Sequence, residues 1–272
     1  MTDEEFKLFR TLIYDECGID LQNDKITLLD TRVRKRMAIC GVNSYYQYYQ
    51  FLKQGLTGAR ELIVLMDLMT INETMFFRNK PQFELLKTFV LPEIITRKKQ
   101  QADKRLRIWS AGCSSGQEPY SIAMTILETI PFPDLWDIKI LASDLSLRML
   151  EIAQNGCYND YQLRGLDSDH LESYFIKAEG GYQIKKQIQR LVTFDYHNLK
   201  HDNGLRGFDI IFCRNVMIYF DERERARLVE RFARSLILSG YIFIGHAETL
   251  QGVSERFKML HQNKGIAYRR EE

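Results

Sequence analysis

The chain has 272 residues, 45% hydrophobic and 27% charged, without a low-complexity run or internal repeat, so it reads as folded throughout, as one large domain or two. Its 38 Lys and Arg against 36 Asp and Glu leave a net charge of +2, which gives no bulk-charge case for a polyanion partner. No stretch approaches the roughly 20 apolar residues of a membrane span, the start MTDEEFKLFR lacks a signal-peptide core, and the five cysteines hold no Cys-x-x-Cys pair; a soluble cytoplasmic protein with free thiols is expected.

Residues 1 to about 70 carry helical periodicity: Phe6, Phe9, Leu12 and Ile13 in one helix, Ile26, Leu29, Val33 and Met37 in a second, and shorter helices over NSYYQYYQFL and ARELIVLMDLM. TINETMFFRNKPQ has no clean period and reads as a connection, with Pro81 opening a helix that runs to about Arg97. From Arg105 the pattern changes. Short apolar runs (LRIWSAG, IKILASD, RLVTFD, FDIIFCRN, GYIFIGH) alternate with helical stretches (EPYSIAMTILETI, SLRMLEIAQNG, DERERARLVERFARSL), which predicts an α/β fold with a doubly wound, mostly parallel sheet. SYFIKAEGGYQIKKQI breaks the alternation and reads as a β-hairpin turning at Glu179-Gly180-Gly181, a small antiparallel insertion.

In such a sheet the ligand lies outside the carboxyl ends of the strands, and RIWSAGCSSGQEPYSIAM spans the first strand-to-helix turn. Gly112 and Gly116 stand four apart, which leaves a dinucleotide fingerprint incomplete, and Gly116 is followed by Gln117, Glu118 and Pro119 where a P-loop needs Lys-Ser/Thr. A carboxylate there repels phosphate. A ligand that lets glycine backbone come close, brings positive charge to Glu118, and offers a ribose diol to Asp144 at the end of the second strand fits S-adenosylmethionine. Each residue also has a plainer reading: Glu118 as a complement to the helix dipole, Asp144 as an N-cap. Together, at successive strand ends, they favour a nucleoside-bearing cofactor. His197 and His201 are four apart, but HNLKHDNG reads as loop, and no metal site is expected.

With these residues in hand, the chain resembles the chemotaxis receptor glutamate methyltransferases, the CheR family. The resemblance rests on NETMFFRN (72–79), SAGCSSGQEPYSIA (110–123), SD (143–144), HNL (197–199) and FDIIFCRNVMIYFD (208–221), in this order. It implies an N-terminal all-α domain (1–70), a linker contributing to the cofactor site (71–85), and a Rossmann-like class I methyltransferase domain (86–272) with a β-subdomain at about 170–190. It further implies that Asn72, Thr74 and Arg78 touch the cofactor from the linker, that Gly112, Glu118 and Asp144 bind it, and that Asn198, Leu199, Arg214 and Asn215 frame it. Arg78 and Tyr219 match the positions nearest the transferring methyl. The implied substrates are glutamate side chains of the helical bundles of bacterial chemoreceptors.

A glutamate acceptor has a pKa of about 4.3 and arrives ionised, so no general base is needed. Alignment is left to Arg78, and a dry pocket helps because carboxylate and sulfonium lose their charges together. Phe76, Phe77, Met217 and Tyr219 are its expected walls, with core packing the plainer reading for Met217. Lys25, Arg32 and Arg36 are expected to line one face of the second helix, either as a solvated face or as a docking stripe for an acidic receptor helix. The resemblance implies a longer glycine-containing loop in members that tether to a receptor C-terminal peptide; KAEGGYQ is short, a departure from which a tether-independent enzyme is expected. A monomer is expected, with S-adenosylhomocysteine as product and no membrane insertion. Asn215-Val216-Met217-Ile218 lacks the Pro-Pro-aromatic pattern of base-amine methyltransferases, which argues against nucleic acid. The alternative function is a catalytically silent, S-adenosylmethionine-binding scaffold of the same fold.

Overall fold

The computed structural model describes residues 1–70 and 72–271; Ile71, the first residue of the expected linker, and Glu272 lie outside the described residues. Helix α1 (Asp3–Cys17) opens on a capping box, in which the Thr2 hydroxyl accepts from the Glu5 N–H and the Glu5 carboxylate accepts from the Thr2 N–H. It stops at Gly18, whose φ of 76° suits a residue without Cβ. Helices α2 (Ile26–Cys40), α3 (Tyr45–Leu52) and α4 (Gly55–Met69) close on α1 around Phe9, Leu29, Tyr48 and Leu65. The periodic apolar positions form this core.

The basic stripe expected on the second helix is corrected. Lys25 sits in the 3-10 turn before α2 and pairs with Asp24 at 3.0 Å. Arg36 turns inward, where its guanidinium forks onto Glu61 of α4 at 2.7 and 2.6 Å. Arg32 is half-buried, with one terminal nitrogen enclosed and without a hydrogen-bond acceptor. The three cations therefore do not share one solvated face, because α2 begins after Lys25 and packs Arg36 against a buried carboxylate.

After the linker, helical backbone runs from Lys80 to Gln100 as α5 (Lys80–Leu85), a π turn (Leu86–Val90) and α6 (Leu91–Gln100). Pro92, which has no N–H to donate, follows the widened turn. The sheet comprises β1 (Arg105–Ala111), β2 (Asp137–Asp144), β6 (Val192–Tyr196), β7 (Phe208–Cys213), β8 (Leu236–Ile244), β9 (Phe257–Gln262) and β10 (Gly265–Arg270), in the order β6-β2-β1-β7-β8-β10-β9. The first five strands pair in parallel and the last two add an antiparallel edge. With β1 in register with Ile140 of β2 and Ile210 of β7 at Ile108, the winding reverses between β1 and β7.

Period-2 alternation assigns the two faces. Ile108, Ile140, Ile210 and Phe212 pack under α7 (Gln117–Thr129) and the Lys80–Gln100 helix. Trp109, Ala111, Ile211 and Cys213 pack against α11 (Glu222–Ser235). The expected doubly wound sheet, its N-terminal all-α partner and the antiparallel insertion are all present. The insertion begins earlier than expected: after α8 (Leu147–Asn155), β3 (Cys157–Tyr158) joins β5 (Gly181–Ile184) and β4 (Phe175–Ala178) in a three-stranded sheet. Helices α9 (Ser168–Tyr174) and α10 (Lys186–Gln189) flank it. Among the described residues no helix is long and apolar enough to cross a membrane.

Candidate active site

Where the winding reverses, the ends of β1, β2, β6 and β7 open on a cavity of about 250 Å³. Every residue assigned by sequence to catalysis or the cofactor lines it: Asn72, Thr74 and Arg78 from the linker, Gly112 and Glu118 after β1, Asp144 at the end of β2, Asn198 and Leu199 after β6, and Arg214, Asn215 and Tyr219 after β7. The helical domain adds Cys17 and Ile19, which nothing in the motifs indicated.

The glycine turn serves the protein as much as any ligand. Gly112 has φ 83°, and a Cβ there would stand 2.4 Å from Val216 Cγ2; at Gly116, φ 91°, it would stand 2.8 Å from the Ala153 Cβ and 2.9 Å from the Tyr158 hydroxyl. Close approach is thus demanded by the protein's own neighbouring segments. The turn aims the Ser114 N–H at Asp144 Oδ2 (2.8 Å), while Oδ1 accepts from the Ser146 N–H (2.9 Å). Asp144 is not the N-cap of α8, since the Ser146 hydroxyl caps it by accepting from the Met149 N–H. Burial pushes the Asp144 carboxyl above the ordinary carboxylate range, and the two backbone N–H groups pull it back. One lone pair on each oxygen remains for a diol.

Glu118, in the first turn of α7, accepts from the Ser110 hydroxyl at 2.7 Å and pairs with Arg214 at 3.2 Å. Burial raises its carboxyl, against the pull of Arg214 and Ser110, and burial lowers the Arg214 guanidinium despite Glu118. Arg214 also donates to the Arg78 carbonyl at 2.5 Å, which ties the linker motif to the end of β7, and its enclosed Nε has no acceptor. The Arg78 guanidinium donates to the Glu73 carbonyl at 3.0 Å. Buried Asp144, partly neutralised Glu118 and a spare Arg214 donor fit a ligand with a diol, an ammonium and a carboxylate, which is the donor and acceptor set of S-adenosylmethionine.

Some expected walls lie elsewhere. Phe76 is fully buried and packs edge-on against Tyr158 and Phe175 at 5.1 and 5.6 Å. Phe77 packs on Phe83 and His170, and Met217 lies in the core beneath α11. Tyr219 remains at the cavity, its hydroxyl pKa raised by burial, and Met75, Ile218 and Phe220 join it there. Asn198 spends its amide on protein partners: Nδ2 donates to the Glu16 carbonyl at 2.7 Å and Oδ1 accepts from the Lys200 N–H at 3.0 Å. The Lys200 ammonium donates to the Tyr14 carbonyl at 2.8 Å and to Asp15, capping an α1 C-terminus that has no basic residue of its own.

Residues 4–70 match the family described as CheR methyltransferase, all-alpha domain, and residues 72–266 match CheR methyltransferase, SAM binding domain. The chain is 39% identical over 272 residues to chemotaxis protein methyltransferase 1 of Pseudomonas aeruginosa, with 97% of each chain covered. It is 39% identical over 272 residues to chemotaxis protein methyltransferase Cher2 of Pseudomonas putida, again with 97% of each covered. Against chemotaxis protein methyltransferase 2 of Vibrio cholerae the identity is 35%, covering 98% of this chain and 93% of the relative. A helical domain, a parallel sheet and a cavity suited to a sulfonium nucleoside thus converge on one conclusion: the chain belongs to the CheR methyltransferase family, and its cofactor is S-adenosylmethionine.

Proposed function

We propose that the protein is a protein-glutamate O-methyltransferase that forms methyl esters on glutamate side chains of the chemoreceptor cytoplasmic helical bundle. The observation that carries the reading is the meeting of Arg78 and Tyr219 with Glu118, Asp144 and Arg214 at a single cavity. The bound cofactor supplies an electrophilic methyl on a sulfonium. The chain's own residues hold and orient what reacts.

Asp144 and Glu118 take the two polar ends of the cofactor. Arg78, half-buried and anchored through Glu73 and Arg214, offers a fork of N–H donors to an incoming carboxylate. That carboxylate is already ionised at neutral pH, so the work is positional, a contribution of about 7 to 11 kcal/mol in favourable cases. Tyr219, with Met75, Ile218 and Phe220, lines the side of the cavity where the reacting pair would meet, and its hydroxyl is available there as a donor. Too firm a grip on the acceptor stabilises the ground state, so Arg78 is assigned to orientation.

Docking is assigned to the cations of α2 that stay free of Glu61, half-buried Arg32 with exposed Arg34 and Lys35, acting on an acidic helix and weakening with salt. The enzyme is read as a cytoplasmic monomer that acts on the receptor bundle without nucleic acid and without inserting into the membrane. Incubation with methyl-labelled cofactor and a panel of chemoreceptor fragments, followed by alkaline treatment, tests the reaction. Release of labelled methanol identifies a carboxyl ester; base-stable label, or cofactor binding without transfer, excludes it.

A further inference from the structure

The loop after β7 is pinned from a side the sequence motifs do not mention. Glu248, four residues beyond the end of β8, reaches across to the neighbouring parallel strand, where Cys213 and Ile244 are in register. Its Oε2 accepts from the Gly245 N–H at 2.5 Å and from the Asn215 N–H at 3.1 Å, and its Oε1 accepts from the Ile218 N–H at 3.2 Å. A turn closed by the Glu248 N–H on the Gly245 carbonyl at 3.0 Å holds the carboxylate in place. Three backbone donors converge on one half-buried side chain.

From this geometry we infer that Glu248 is a positioning residue, holding the Arg214–Tyr219 loop so that Asn215 and Tyr219 face the cavity. The inference rests on the reading of Tyr219 as a group at the transfer site. Asn215 has φ 59°, in the left-handed region that asparagine tolerates better than other residues with a side chain, so the loop can take this turn and still needs fixing in it. Glu248 supplies that fixing at the Asn215 and Ile218 amides. At the other end, the Tyr219 carbonyl accepts from the Asp20 N–H at 2.9 Å, and Phe220 bridges to Ile19. The tyrosine is strung between these two fastenings. A carboxylate suits the task because it only accepts, and its charge strengthens each N–H bond. Glutamine of the same length would turn an NH₂ toward one of the three donors.

Gly245 belongs to the same device. A Cβ there would lie 2.7 Å from Glu248 Oε2, 2.9 Å from the Asn215 nitrogen and 3.0 Å from Asn215 Nδ2, so the space between carboxylate and loop is already filled. Gly245→Ala would therefore wedge the carboxylate and the Asn215 backbone apart, without changing the charge of Glu248.

The test compares Glu248→Gln, Gly245→Ala, Tyr219→Phe and the two double variants in the full-length enzyme. Amide hydrogen exchange, calorimetry with S-adenosylhomocysteine and methyl transfer to receptor fragments are the readouts. Faster exchange at Asn215 and Ile218 is expected in both clamp variants, with kcat lowered about tenfold or more and a smaller change in product affinity. In the Tyr219→Phe background the clamp variants should cost much less, because they act by placing the hydroxyl that this background lacks. Unchanged exchange, wild-type kcat, or losses that simply multiply with Tyr219→Phe would overturn the inference. If Glu248→Gln does not fold, Gly245→Ala decides alone. Wild-type label that is not base-labile sinks the parent reading and this one with it; base-labile wild-type label with indifferent variants sinks only this one.

Discussion

Glu118 and Arg214, 96 residues apart in the chain, meet at 3.2 Å beside the cavity, each displaced from its ordinary pKa by burial. The carboxyl is raised in the ligand-free protein, so its contribution to stability is present at low pH and is lost as pH rises through its folded-state range. A ligand ammonium favours the carboxylate and pulls that range down. Binding of S-adenosylhomocysteine is therefore expected to strengthen as pH rises through the raised Glu118 range, releasing a proton on the way. Calorimetry in two buffers of different ionisation heat measures this. A flat pH profile with no proton exchange would show that no cation reaches Glu118.

Asp144→Ala is expected to weaken S-adenosylhomocysteine binding by about 100-fold or more, since two hydrogen bonds to a charged group are lost. Asp144→Asn, which keeps one acceptor, should fall between. Wild-type affinity in the alanine variant would mean that the ribose lies elsewhere.

For Arg78→Ala the expected outcome separates binding from chemistry. Product affinity should stay within about threefold, while kcat on receptor fragments falls by about 100-fold, the scale of a misplaced reactant. Equal turnover would remove Arg78 from the orienting role.

Arg36→Ala should act on folding before it acts on docking, because it strands Glu61, 8% exposed, without its fork; a loss of about 3 kcal/mol is expected for breaking such a pair. Burial alone would raise the Glu61 carboxyl, but Arg36 and Tyr48 together hold it below the ordinary range. That stabilisation is present above the unfolded carboxylate pKa and is lost as pH falls through the folded one. Urea titrations at neutral and acidic pH measure both effects. Arg32→Glu, in contrast, should weaken receptor association at low salt, and the difference should fade as salt rises.

The parallel strands were legible as short apolar-rich runs between helical stretches, most clearly β7, which is buried on both faces, and least so the edge strand β6, which has no fully buried residue; the cavity was legible because chemistry concentrates at the strand ends. The β9–β10 hairpin was not, since its two-residue turn is Asn263-Lys264, both at positive φ, without the glycine that usually marks such a turn. Strand β3 spans two residues, too few to show a period. Nothing in the sequence could show that Phe76, Phe77 and Met217 all pack away from the cavity, because all three are apolar and none lies in a strand or long helix whose period would tell its face. The commitment of Arg36 depended on a partner 25 residues away, and that of Asn198 on one 182 residues away, distances at which spacing carries no signal.

The antiparallel bridge between Ile19 and Phe220 has a practical corollary for anyone recombining such enzymes. Transplanting a foreign recognition module by cutting at the linker would discard a piece of the reaction chamber, namely Ile19 with Cys17, along with the amide of Asp20 that anchors Tyr219. A working chimaera must either carry the short α1–α2 connection across with the catalytic half or match it residue for residue.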